Sequence, residues 1–393
     1  MIKASARARM LVGLAAIAVG AAACTSAATP SAAPTTASSA SSSAAASTSP
    51  SAAAKQYTIG FSNTGGTGNG FREEQNCTAK AEALASGQVS KVVMIAHNTD
   101  SAGQLSDLRD LISQGVDAIV FNPSSADALN PALAEAKAAG IKTVAVDAYV
   151  TDPDTWNFYN NQVDYAYLGA SWLFKYLEDN GHANGTIWYT RGIAGHPADT
   201  DRHTGFMKAL SEHPGFKVLP SKDGVFTGWD PTTATNLAND FINSGDWDKI
   251  DGVWTSGMDS QVVDAVKAAK KPYKPIVGAD LGAFASYLLD GTGYPGLVGA
   301  AVTNTAAVGG AGVAVALKLL NGDTLTSDPA STRPNTLLLK PVLADNATDA
   351  GKQTLKSWQS VKGLNPIWPL SVTLTDWTHY TADQAVACKG PGE

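Results

Sequence analysis

Short apolar runs recur along this chain with helix-patterned segments between them. That alternation limits the fold more than any other feature. Val92-Val93-Met94-Ile95, Ala118-Ile119-Val120-Phe121 and Lys142-Thr143-Val144-Ala145-Val146 recur at intervals of about 25 residues, the length a strand and its crossover helix require. Their lack of polar alternation marks strands covered on both faces. Leu105, Leu108, Leu111 and Ile112 share a helical face that Gly115 terminates, and Leu129, Leu133 and Ala136 share another that Gly140 closes. Ahead of them, Tyr57 to Phe61 reads as a strand and Glu73 to Leu84 as a helix. The expected unit is a doubly wound parallel sheet made from right-handed crossovers.

The pattern then restarts. Tyr167 to Leu177 is a helix, and Thr186 to Tyr189, Lys217 to Leu219, Gly252 to Trp254 and Pro275 to Val277 read as strands. Helices fall at about Thr204–Leu210, Thr232–Ile242 and Gln261–Ala269. Two consecutive α/β units predict two Rossmann-like lobes with a cleft between them. Ligands of such sheets bind beyond the carboxyl ends of the strands.

Those ends carry polar residues of one chemical kind. Ser62-Asn63 and Gly68-Asn69-Gly70-Phe71-Arg72 follow the first strand, Asn122 the third and Asp147 the fourth. In the second half, Arg191, Asp201-Arg202, Ser256, Asp259 and Asp280 hold equivalent places. A carboxylate accepts from two hydroxyls, a guanidinium donates in a fork and an amide does both. Phe71 and Trp229 could cover the C–H face of a sugar. Each residue also has an ordinary reading: Asp147 and Asp280 as helix caps, Arg202 paired with Asp199 or Asp201, Trp188 and Trp254 in the sheet core.

The start of the chain is of another kind. Lys3, Arg7 and Arg9 precede a charge-free stretch from Met10 to Ala23, the pattern of a secretory signal. That stretch is shorter than the ~20 residues of a membrane span. From Thr25 to Ala54 every residue is Ala, Ser, Thr or Pro, a composition that cannot offset its ordering entropy. A net charge of −7, from 28 Lys+Arg against 35 Asp+Glu, without a basic cluster, argues against nucleic acid. The 3 cysteines are too few for a disulfide scaffold or a Cys-rich zinc site. The histidines show no HExxH spacing, and no GxSxG elbow is present, so neither a metal nor a cofactor is expected. Gly66-Thr67-Gly68-Asn69-Gly70 lacks the third glycine of a dinucleotide fingerprint, because Phe71 stands there.

The chain resembles the type I periplasmic sugar-binding proteins, the ribose-, galactose- and galactofuranose-binding group. The resemblance runs from Tyr57 to about Asn346. It rests on Asp107-Leu108, Gly115-Val116-Asp117-Ala118-Ile119, Pro131-Ala132-Leu133, Ala139-Gly140-Ile141 and Val146-Asp147, on Arg202 before Gly205-Phe206, on Val277-Gly278-Ala279-Asp280, and on Gly68-Asn69-Gly70-Phe71-Arg72. It implies ligand contacts at Asn63, Asn69, Phe71, Arg72, Asp147, Arg202, Trp229 and Asp280. Asp259 joins them as a strand-end acid, and Asn304 at the hinge position. Where the family has an amide before Asp259, this chain has Met258. Ala21-Ala22-Ala23-Cys24 resembles the lipobox of bacterial lipoproteins, which implies lipidation of Cys24. Cys77 and Cys388 then remain in an oxidising compartment and are expected to pair, tying the tail to the first helix; two free thiols are the alternative.

The resulting division is a signal peptide over 1–23, a lipidated cysteine and tether over 24–55, a first lobe over 56–161 plus 304–336, and a second over 162–303 plus 337–393. Interlobe crossings are placed near Asn161, Thr303 and Thr336. The implied function is capture of a sugar and its delivery to the permease of an ABC importer. The implied protein is a monomer, lipid-anchored on the outer face of the cell membrane. The rivals are a secreted glycoside-processing enzyme, which needs two carboxylates flanking one bond, and a ligand sensor for a receptor.

Overall fold

The computed structural model describes residues 55–65 and 68–393. The expected signal peptide of 1–23, the lipidation expected at Cys24 and the expected tether up to residue 54 lie outside the described residues. The first half runs β1 Tyr57–Asn63, α1 Gly70–Ala85, β2 Val89–Ala96, α2 Ser101–Ser113, β3 Ala118–Asn122, α3 Asn130–Ala138, β4 Lys142–Val146 and β5 Trp156–Asn160. The second runs α4 Gln162–Asp179, β6 Thr186–Arg191, α5 Pro197–Glu212, β7 Lys217–Leu219, β8 Val225–Phe226, α6 Pro231–Asn243, β9 Gly252–Trp254, α7 Asp259–Ala268, β10 Ile276–Ala279, α8 Gly282–Leu289 and β11 Gly299–Val302. Then come α9 Val308–Asn321, β12 Thr336–Leu339, β13 Leu343–Asp345, α10 Asp349–Trp358 and α11 Ala382–Ala387.

One sheet has the order β12-β5-β4-β3-β1-β2 and is parallel throughout. The other has β13-β11-β10-β9-β6-β7, with only β13 antiparallel along that path. In both, the first strand lies between the second and the third, so the order reverses there and a crevice opens at the strand ends. Phe61, Val120, Val144 and Val146 form the first core with Val308 and Val313 of α9. Tyr189, Trp254 and Val277 form the second with Phe174 of α4 and Phe206 of α5. Trp188 and Trp254 are buried in the sheet.

The chain passes between sheets at Asn161, between β11 and α9, and between β12 and β13. The last passage differs from the sequence division. β12 pairs with β5 through Leu339↔Asn160, so the first lobe keeps the chain three residues beyond Thr336 and the crossing falls at 340–342. The tail departs further from the assignment of 337–393 to the second lobe. Residues 366–370 do lie there: the Gly282 amide donates to the Trp368 carbonyl at 2.9 Å, and Leu370 joins that core. Val372, Tyr380 and Ala385 then pack on Ala81 of α1, and Trp377 meets Phe158 edge-on at 4.9 Å. His379 donates its backbone N–H to Glu82 at 2.7 Å. The Cys77–Cys388 disulfide closes this return to the first lobe. The tail carries its own apolar residues, so it follows whichever lobe offers a complementary face; chain order alone does not say which.

Candidate functional site

The cleft is built from the start of α1 upward. Asn69 caps that helix, its side chain accepting from the Arg72 amide at 3.2 Å. Gly70 follows because the tail passes directly over it: a Cβ there would lie 2.0 Å from the Ile367 carbonyl oxygen. The geometry of this first turn aims Arg72 into the cleft. Its Nη1 donates to Asn63 Oδ1 at 2.9 Å, and Nη2 lies 3.2 Å from His196 Nε2 of the other lobe. Asn69 Nδ2 also reaches across, donating to the Trp229 carbonyl at 3.4 Å.

Asp147, one residue beyond β4, has a positive φ of 67°. Its Oδ1 accepts from Asn160 at 3.2 Å and from Gln162 at 3.1 Å, and its Oδ2 from Asn122 at 3.3 Å. On the facing lobe, Arg202 Nε donates to Gln162 Oε1 at 2.8 Å and Nη1 to the Ser256 carbonyl at 2.8 Å. The guanidinium lies 4.4 Å over the Tyr165 ring and 5.4 Å from that of Trp229. Trp229, also at positive φ, donates Nε1 to the same Ser256 carbonyl at 2.8 Å. Two of five non-glycine residues in the left-handed region among the described residues thus sit at this cleft, where strain held by packing often marks function.

These groups surround a space of about 470 Å³, part of it open at the mouth. The first lobe lines it with Asn69, Phe71, Arg72 and Asp147, and Asn304 adds a hinge contribution. The second lobe lines it with Arg202, Trp229, Ser256, Gly257, Met258, Ala279 and Leu281, and the tail with Pro369.

Three of the sequence candidates lie behind this lining. Asn63 is fully buried, and its amide donates to Gln75 at 3.1 Å while its oxygen holds Arg72; it positions a guanidinium. Asp259 accepts from the Ala279 amide at 2.8 Å and from the Ser260 amide at 2.9 Å, tying the start of α7 to the end of β10. A Cβ on Gly278 would stand 2.3 Å from that carboxylate. Asp280 Oδ1 accepts from the Asn304 amide at 2.9 Å. The alternative pairing of Arg202 does not form: Asp199 pairs with Arg191 at 2.5 Å and Asp201 with Arg333 at 3.3 Å.

Sequence reasoning missed Gln162 and His196. Gln162 is 1% exposed and links Asp147, Arg202 and Asn304, donating to Asn304 Oδ1 at 3.0 Å. Its signal was available, since it is the first helical residue after the Asn161 crossing. Pro369 had no local signal, because only tail docking brings it to the cleft.

Burial governs the charges. It lowers Arg72 to about 10, opposed by the nearby Asp147, so the guanidinium stays charged at neutral pH. It raises Asp147, opposed by Arg72 and Arg202. His196 is pushed well below its ordinary value by burial and then by both guanidiniums. It is therefore neutral, and a neutral ring has one acceptor nitrogen. The Ala198 amide donates to Nδ1 at 3.2 Å, and Arg72 Nη2 lies 3.2 Å from Nε2. Asp280 is raised to about 7 and Asp259 to about 6, burial leading in both. Among the described residues, Asp147 is the one carboxylate lining the cleft, and no group of three metal-ligating side chains is assembled.

Residues 59–324 match the periplasmic binding protein domain family. The xylitol-binding protein of Mycolicibacterium smegmatis is 32% identical over 246 residues, 62% of this chain and 68% of that one. The galactofuranose-binding protein of Escherichia coli is 29% identical over 235 residues, 58% of this chain and 71% of that one. An ABC transporter solute-binding protein from Thermobispora bispora superposes with a TM-score of 0.67 at 25% identity, covering 80% of this chain and 90% of that one.

Proposed function

The chain belongs to the periplasmic binding protein family, and from that premise we propose that it captures a small sugar or polyol between its lobes and delivers it to an ABC importer. One observation carries the reading. Two buried guanidiniums and one buried carboxylate, Arg72, Arg202 and Asp147, converge on one cleft with their outer atoms already held by Asn63, Ser256, Asn122 and Gln162. Such a preorganised rim suits a ligand that offers donors and acceptors at neighbouring hydroxyls. Asn69, Phe71, Trp229 and Asn304 are the further contacts of this reading. A carboxylate pair across one bond, as a glycosidase uses, would need a second acid in the lining, and Asp280 instead serves the Asn304 amide.

Contacts from Asn69 to Trp229 and from Arg72 to His196 join the lobes, which suits closure around a ligand by population shift. The closed form is the one a permease would recognise. Micromolar binding would correspond to about −8 kcal/mol.

The decisive experiment is a thermal-shift screen over monosaccharides, pentitols and short oligosaccharides, followed by calorimetry on each hit. Saturable one-to-one binding of a sugar or polyol supports the reading, and a flat screen overturns it. Lipidation of Cys24 belongs to the same proposal. Mass spectrometry of the mature N-terminus should find acylated Cys24, and an unmodified residue there would remove the anchor.

A further inference from the structure

Resting on that reading, we infer that the cleft selects a ligand with a hydroxyl-free, methyl-terminated end: a terminally deoxygenated sugar in preference to its fully hydroxylated parent. The cleft has two chemically distinct ends. The polar end is knit together by Gln162, which bonds Asp147, Arg202 and Asn304 at once. Away from that knot, Met258, Ala279, Leu281 and Pro369 line the space with apolar side chains, beside Ser256 and Gly257. Met258 follows β9, Ala279 ends the adjacent β10, and Leu281 forms a β-bridge with Pro369 of the tail.

Backbone groups beside that apolar wall are also engaged. The Ala279 amide donates to Asp259, and the Asp280 amide to the Val302 carbonyl at 3.0 Å. The Asp280 carbonyl accepts from the Leu370 amide at 2.9 Å, and the Gly282 amide donates to the Trp368 carbonyl at 2.9 Å. Neither of the carboxylates nearest in sequence lines the space: Asp259 accepts from two backbone amides, and Asp280 accepts from the Asn304 amide through Oδ1 while its Oδ2 is buried without a hydrogen-bond partner. A ligand hydroxyl placed against the side chains of Met258, Ala279, Leu281 and Pro369 would lose its water without gaining a partner from them, whereas a methyl group would lose nothing.

The test is calorimetry on matched pairs of one handedness: fucose against galactose, rhamnose against mannose, and 5-deoxyribose against ribose. At least one deoxygenated member should bind tenfold or more tightly than its parent, which is about 1.4 kcal/mol. Met258→Gln supplies an amide at the wall with little change in length and should shrink that ratio below threefold. Pro369→Ser is the second variant should the first fail to fold. Fully hydroxylated sugars or polyols that bind as tightly as, or more tightly than, any deoxygenated probe overturn this inference and leave the proposed function standing. A protein that binds no sugar or polyol overturns both.

Discussion

The two rims of the cleft start from the same grammar and end with different chemistry. Each lobe presents polar residues just beyond parallel strands. In the first lobe Asp147 faces the cleft, because its left-handed backbone turns it inward and three side-chain amides hold it there. In the second lobe Asp259 and Asp280 are drawn to backbone N–H groups of Ala279, Ser260 and Asn304. A strand-end acid serves a ligand only where no buried amide nearby needs an acceptor.

The sharpest way to break that contrast is to remove one charge from each class. Arg202→Ala should weaken binding of the tightest ligand from the screen about a thousandfold, roughly 4 kcal/mol, since charge-assisted bonds in a dry site are lost. Asp259→Asn should leave affinity within about threefold and lower thermal stability, since it touches the frame. Calorimetry and thermal denaturation read the two effects separately. Unchanged affinity in Arg202→Ala would remove this residue from the site.

The tail gives the next effect. It runs from the second lobe back to α1 and is pinned by a disulfide spanning 311 residues of sequence. Cys388→Ala should lower unfolding stability by about 4–5 kcal/mol in urea titrations, because the denatured chain regains the closed loop's freedom. A loss under about 1 kcal/mol would show that apolar docking of Val372, Tyr380 and Ala385 holds the tail without the bond.

Asp280 offers a pH signature that separates the rims. Its folded value of about 7 lies above its ordinary 3.8. The native state therefore keeps a proton between about pH 4 and pH 7 that the unfolded chain releases. Stability from this group is full below about pH 4 and declines as pH rises to about 7, by roughly 4 kcal/mol. Asp280→Asn should flatten that part of the stability profile. A wild-type profile already flat over this interval would show Asp280 ionised and solvated, and would return it to the list of ligand contacts.

Much of this was legible beforehand. β4 begins and ends where its apolar run does, since a buried parallel strand announces itself by unbroken hydrophobicity. Asn69, Arg72, Asp147 and Arg202 line the cleft, where position after the strands and chemistry both pointed. What stayed hidden depends on contacts distant in sequence. Pro369 reaches the cleft through a bridge to Leu281, and Asp280 is taken by the amide of Asn304. α1 starts three residues earlier than its apolar pattern, at Gly70, because capping by Asn69 fixes the start.

The smallest effect concerns how the rims meet. Arg333, in the loop before β12 of the first lobe, donates Nη1 to the Tyr159 hydroxyl at 2.6 Å and lies 3.5 Å over the Tyr149 ring. From there its Nη2 reaches Asp201 of α5 in the second lobe at 3.3 Å. One third of the Arg333 side chain is exposed, so solvent screens the pair. The aromatic contacts fix the guanidinium on its own lobe, so the ion pair forms only when the lobes approach. Its energy then enters the closing equilibrium rather than the folding one. Asp201→Asn should therefore weaken ligand binding two- to fivefold, about 0.4–1 kcal/mol. The unfolding midpoint without ligand should move little, and raised salt should shrink the difference between the variant and the parent protein. Equal affinities at low salt would mean that the pair is a bystander, and that closure depends on the cleft groups alone.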